Sequence, residues 1–172
     1  MRHNKIIGWD KFLKTVEQVQ KLSPWLSRQI VKRASEWPFF FSGLQIQEWH
    51  DRQVRLHMPH SFRNAVDGEI CHGHLLLGAE LALRLVLLRY REEFPFRYRI
   101  LSSRTETHHP VDQPVDYKFE IGFAEWEAIR LDLARESRAR EEFVFQAYLA
   151  DGRMAATFSF QVQFEMERFL PS

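Results

Sequence analysis

Glu80 stands inside the most apolar stretch of the chain, Leu75 to Leu88, and Arg84 follows it four residues later. A carboxylate among Leu76, Leu77 and Leu83 is poorly solvated, which is the setting of a general base or nucleophile. The i,i+4 spacing to Arg84 offers the competing reading, a helix-stabilising ion pair. The stretch is entered through Cys71-His72-Gly73-His74. A helix starting there directs the backbone N–H groups around Gly73 and His74 out of its positive end, suited to the oxyanion of a tetrahedral intermediate. Glycine at that point permits close approach of a substrate. Glu80 comes about two turns later on the same face, so an acid and an oxyanion site could address one carbonyl.

His60, His72 and His74 crowd this region, and His108-His109 follow later. No pair has the i,i+4 spacing of a zinc helix motif and Cys71 is the only thiol, so neither a metal nor a cofactor is expected. Cys71 beside His72 suggests a nucleophilic thiol. Adjacent residues rarely point at each other, however, and a small inert side chain is the better reading. Arg97, Arg99 and Arg104 offer forked donors for phosphate, or simply a solvated strand face.

The elements that must position these residues are legible from periodicity. Residues 9–22 and a second segment through Leu26, Ile30, Val31 and Ala34, ended by Pro38, read as amphipathic helices. Residues 39–49 are strand-like, and Val54, Leu56 and Met58 alternate with polar neighbours before Pro59. Residues 60–71 read as an irregular loop. The apolar helix is expected from about His74 to Tyr90, buried on most sides. Strands are expected over 96–109 and over 115–123, with Phe119 and Phe123 inward. Residues 124–137 favour a surface helix by propensity, although Ile129, Leu131 and Leu133 also fit a strand. A final hairpin joins 142–150 to 154–166 through Asp151-Gly152, a pair suited to a type I′ turn. Its last strand alternates without a break, which calls for one wet face.

The chain has 172 residues, 24 Lys plus Arg against 23 Asp plus Glu, and one cysteine, which excludes an internal disulfide. A single core of this size buries roughly 70% of the unfolded surface without needing staples. The near-zero charge gives no electrostatic footprint for nucleic acid. No apolar run reaches the ~20 residues of a membrane span. The opening residues lack the apolar stretch of a signal peptide, so a cytoplasmic location is expected. Fifteen Phe and five Trp exceed what a small core requires. They call for a deep core, an interface or a greasy ligand site.

Two strands, a loop, one long helix and then antiparallel strands, together with Asn64, Gly68, Cys71-His72-Gly73 and Glu80, resemble the hotdog acyl-CoA thioesterases. The likeness is greatest to the phenylacetyl-CoA and hydroxybenzoyl-CoA types, and to a domain-of-unknown-function branch that similarly inserts a short helix before its last strands. The resemblance implies an α+β hotdog fold, a curved antiparallel sheet around a long central helix. It spans residues 39–168, after an N-terminal helical extension of residues 1–38. It also implies hydrolysis of an acyl-CoA or acyl-carrier thioester in a homodimer or higher homo-oligomer, with the acyl tunnel between subunits. Glu80 and Asn64 are the catalytic candidates; His72, Gly73, His74 and Arg84 are the candidates for substrate binding. Two alternatives stand beside it: a non-catalytic module binding an acyl ligand or protein, and a hydratase or dehydratase using His60 or His72 with Glu80.

Overall fold

A computed structural model of the protein describes residues 43–50 and 52–166. The expected N-terminal helices lie outside the described residues. The elements run β1 (Gln45–His50), β2 (Gln53–Met58), β3 (Ala65–Val66), β4 (Glu69–Ile70), α1 (His72–Glu93), β5 (Phe96–Thr107), β6 (Val115–Glu120), α2 (Phe123–Glu136), β7 (Arg138–Leu149) and β8 (Met154–Met166). This is an α+β arrangement. Six strands form one antiparallel sheet in the order β1-β2-β6-β7-β8-β5, and β3 with β4 makes a separate two-stranded ribbon.

Burial explains the sheet. On β8, Phe158, Phe160, Val162 and Phe164 are fully buried, while the intervening polar residues are not. Their face continues across β7 through Phe143 and Phe145, and across β6 through Tyr117 and Phe119. Aromatic rings meet across the strands, Phe119 with Phe145 at 4.5 Å and Phe145 with Phe158 at 5.6 Å between centroids. Such cross-strand pairs set register as well as contribute contact. On β5 the register slips between Ile100 and Ser102, which leaves Leu101 exposed. Beyond this bulge Ser103, Thr105 and Thr107 take the positions opposite the core residues Phe160, Phe158 and Ala156.

Helix α1 has 22 residues, longer at both ends than its apolar run suggested. Phe94-Pro95 stops it, since the residue before proline is pushed out of the helical region; Phe94 sits at φ −143°, ψ 121°. At Gly78 the helix passes close against a ring of the sheet. A Cβ there would lie 2.7 Å from Cζ of the buried Tyr117, whose hydroxyl donates to the Leu75 carbonyl at 3.3 Å. Gly78→Ala gains up to about 1 kcal/mol of helix propensity but overpacks a fixed ring at a cost of about 1–3 kcal/mol. A net loss of stability is expected, read as a fall in denaturation midpoint, and Tyr117→Leu in the same chain should relieve it.

Four expectations require correction. Residues 60–71 are not irregular throughout. Asp67 (φ 53°) and Gly68 (φ 84°) form the two-residue turn of the β3–β4 ribbon, and positive φ at both positions is the type I′ signature. At Asp151-Gly152 only the glycine has positive φ (85°), so that turn is not type I′. A three-residue loop is closed there by Leu149 N–H to the Arg153 carbonyl at 2.8 Å. Phe123 is not an inward strand residue; it opens α2, exposed, with the Arg52 guanidinium 4.8 Å from its ring centroid. Finally, β7 begins at Arg138, four residues early. Ser137 in the left-handed conformation (φ 59°) turns the chain from α2 directly into the strand, where the exposed Arg138 and Arg140 flank the buried Ala139.

Candidate functional site

The 3.6-residue period puts Gly73, Leu77, Glu80 and Arg84 on one face of α1. That face is the least buried part of a helix whose Ala79, Ala82, Leu83 and Val86 are fully enclosed. Glu80 and Arg84 form the expected ion pair, and its geometry is one-sided. Both Nε (2.8 Å) and Nη2 (2.5 Å) of Arg84 donate to the same carboxylate oxygen, Oε1. No described residue donates to Oε2. The two side chains are 36% (Arg84) and 35% (Glu80) exposed, so the pair faces solvent at its edge.

Arg84 has a second neighbour that periodicity did not suggest. Tyr98 of β5 lies on the core face of its strand, opposite Phe164, near enough to Arg84 to act on its charge. Burial pushes the Tyr98 phenol above its ordinary range, and Arg84 opposes that only in part. Burial works to lower the proton affinity of Arg84; Tyr98 and Glu80 outweigh it and hold the guanidinium above its usual value. Arg84 is therefore engaged by side chains of the chain itself.

The start of α1 is built by Asn64, which is 1% exposed. Its Nδ2 donates to the Pro59 carbonyl at 2.7 Å, and its Oδ1 accepts from the Ser61 backbone N–H at 3.0 Å. Its own carbonyl accepts the N–H of Cys71, the N-cap residue, at 2.8 Å. The side chain thus braces the loop that aims the helix. Asn64→Ala leaves the part-buried Pro59 carbonyl and Ser61 N–H without their partner, at about 1–3 kcal/mol of stability. The melting temperature should fall measurably.

At the helix start His74 N–H already donates to the Cys71 carbonyl at 2.9 Å. His72 and Gly73 are left as the backbone donors with no acceptor among the described residues, one position earlier than the sequence suggested. Open space surrounds the place where a Gly73 side chain would stand, so this glycine leaves room rather than relieving a clash. Beside it lies a depression of about 400 Å³, lined by Glu69, His72, Leu75, Thr107, His108 and His109 among others. His108 is tied to Thr157 Oγ1 at 2.8 Å and His60 to the Gly68 carbonyl at 2.9 Å. Among the described residues no group of three His, Cys, Asp or Glu side chains is placed to hold a metal. Arg97, Arg99 and Arg104 are exposed and sit opposite Glu165, Gln163 and Ser159, on the face of β5 away from Tyr98.

The structure thus pairs Glu80 with Arg84, with Tyr98 of β5 nearby, and places His72 in the lining of the depression with Gly73 next to it in the chain. Asn64 acts behind them, and no described hydrogen bond joins it to Glu80. Tyr98 is the residue that sequence reasoning missed. Its only signal was a hydroxyl alternating with Phe96 and Ile100 on the apolar face of a strand.

No protein-family model and no curated protein sequence matches the chain. Solved structures do. A protein of unknown function from Pseudomonas aeruginosa, described as a probable thioesterase, superimposes with a TM-score of 0.72 at 17% identity, covering 81% of this chain and 96% of its own. A thioesterase from Haemophilus influenzae gives 0.61 at 11%, covering 83% and 93%. A protein of unknown function from Chlorobaculum tepidum gives 0.67 at 15%, covering 92% and 96%. The chain shares the fold of these solved structures, and the thioesterases among them are of hotdog type. A shared hotdog fold at such identities does not carry an activity, which has to be read from the side chains. No helix among the described residues is long and apolar enough to cross a membrane.

Proposed function

We propose that the protein hydrolyses an acyl-CoA or acyl-carrier thioester, with Glu80 as the acting carboxylate. The observation that carries this reading is the one-sided ion pair. Arg84 grips Oε1 and orients the carboxylate while Oε2 stays open at a solvent-facing edge of α1. In the reaction Oε2 takes a proton from water, and the resulting hydroxide adds to the thioester carbonyl carbon. The oxyanion is received by the His72 and Gly73 N–H donors, strengthened by the helix dipole. Collapse of the intermediate breaks the C–S bond, the proton passes to the departing thiolate, and a free carboxylic acid and a thiol remain. His74 flanks this entrance and Asn64 holds its loop in place.

The central-helix architecture and a homodimer belong to the same proposal. A second copy would cover the half-exposed Leu77–Glu80–Arg84 face and wall in an acyl group. The thioesterases of the same fold support the hydrolytic reading. The Arg84 grip also favours a second reading, a non-catalytic hotdog module that binds an acyl ligand or a protein, because an ion-paired acid is a poorer base. The two separate in one experiment. Short, long and aromatic acyl-CoAs are incubated with the purified protein and a thiol reagent; release of free thiol is expected from at least one class. Saturable binding with no release from any of them would establish the module instead.

A further inference from the structure

We propose that the outward face of β5, β8 and β7 docks an acidic protein surface, that of an acyl carrier, and so favours a carrier-borne thioester over one of free CoA. This rests on the hydrolysis proposed for Glu80. Register brings the basic residues together. Arg97 of β5, Glu165 of β8 and Arg138 of β7 stand side by side in one row, and Arg99, Gln163 and Arg140 form the next row on that face. The four arginines are exposed, and a single glutamate lies among them. That glutamate is already engaged: it accepts from Gln163 Nε2 at 2.9 Å and lies 3.8 Å from Arg138 Nε. Among the described residues no carboxylate pairs with Arg99 or Arg140. Neighbouring strands lie about 4.8 Å apart, so these two stand about 10 Å from each other, within the reach of charge repulsion in dilute salt. An opposing row of carboxylates relieves that repulsion.

Two features favour a protein over the phosphates of a nucleotide. The charges are spread rather than converging: with Arg104 they extend about 20 Å along β5, and in each row the strand β8 keeps the two arginines apart. Exposed Val144 stands in the row of Arg104 and Ser159, an apolar contact that a protein surface can use and a phosphate cannot. The position of the patch also suits delivery to the candidate site. β5 ends the six-stranded sheet, so its outer face and the α1 side of the domain are joined around a single strand. Layers of a domain pack about 10 Å apart, a gap that the flexible pantetheine arm of a carrier spans while the carrier itself stays on the outside.

The binding probe is the holo form of an acyl carrier protein, without an acyl group, titrated into the full chain. Saturable binding is expected, weakening as sodium chloride is raised. It should be at least about tenfold weaker in the double variant Arg99→Glu/Arg140→Glu, whose two side chains are exposed and make no described ion pair. Lys118→Glu, an exposed charge reversal on β6 outside the patch, should stay within about twofold of the wild type. Turnover is then compared with one acyl group on either donor. The double variant should lose about tenfold in kcat/KM on the acyl carrier, through KM, and stay within about twofold of the wild type on the acyl-CoA. Equal losses on both donors, equal weakening by Lys118→Glu, or no saturable binding of the carrier by the wild type would each overturn the proposal. Carrier binding that depends on Arg99 and Arg140, with no turnover of either thioester by the wild type, would instead overturn the reaction assigned to Glu80 and leave the docking face standing.

Discussion

Glu80→Gln is expected to lower kcat for thioester hydrolysis by roughly a hundred- to ten-thousand-fold, the range lost when a positioned general base is removed. The substitution is close to isosteric. Glutamine still accepts from Arg84 through its amide oxygen, but it offers no basic oxygen to water. KM should change little, and the circular dichroism and melting temperature should stay near those of the wild type, because the side chain is a third exposed. Retained turnover in Glu80→Gln would remove Glu80 from the chemistry. A loss of turnover accompanied by a collapse of the melting transition would assign it to the fold.

The largest loss of stability is expected at Trp126. This residue is 2% exposed and lies between Tyr90, with ring centroids 4.2 Å apart, and Phe96 at 5.4 Å. Together with Ile129 and Leu133 it is the stripe by which α2 is attached to the rest of the domain. Removing an indole from a packed site costs about 3–5 kcal/mol, the lost transfer energy plus the cavity left behind. Against a total of roughly 5–15 kcal/mol for a domain, that is a large share. Trp126→Ala should therefore move the urea midpoint sharply, whereas truncating the exposed Leu131 on the same helix should scarcely move it. Tyr90 sharpens the contrast. Its hydroxyl donates to the Ile121 carbonyl at 2.9 Å, and burial pushes its phenol up to about 12, so the donor stays protonated at any pH used for the measurement. An α2 that tolerated Trp126→Ala would have to be attached by something other than this stack.

The parts of the fold that depend on local pattern were legible. β8 runs from Met154 to Met166, the limits that its alternation of apolar and polar residues indicates. At residues 124–137 propensity prevailed over the competing Ile129, Leu131, Leu133 alternation, because Trp126, Ile129 and Leu133 supply a helical stripe that alternation would have split across two faces. The two Asp-Gly pairs show where local reading stops. They have the same composition, yet only Asp67-Gly68 adopts positive φ at both residues. The flanking strands and the length of the loop choose the turn, and neither is a property of the dipeptide. The β3–β4 ribbon escaped notice for a related reason, being too short to display a period.

The candidate site divides along the same line. Glu80 with Arg84 four residues on is a statement about one helix, and so is the row of backbone donors at its start. The sequence by itself therefore determined that an acid, an arginine and a helix N-terminus share one face. Only the tertiary structure decided which carboxylate oxygen the arginine takes, that Asn64 turns inward to brace a loop, and that Tyr98 of another strand comes near Arg84. Side-chain spacing along a helix follows from 1.5 Å of rise per residue and is fixed before anything packs. The meeting of a helix with a strand depends on strand order and register, which are set by burying Phe158, Phe160 and Phe164 together, and no window of sequence contains that sum.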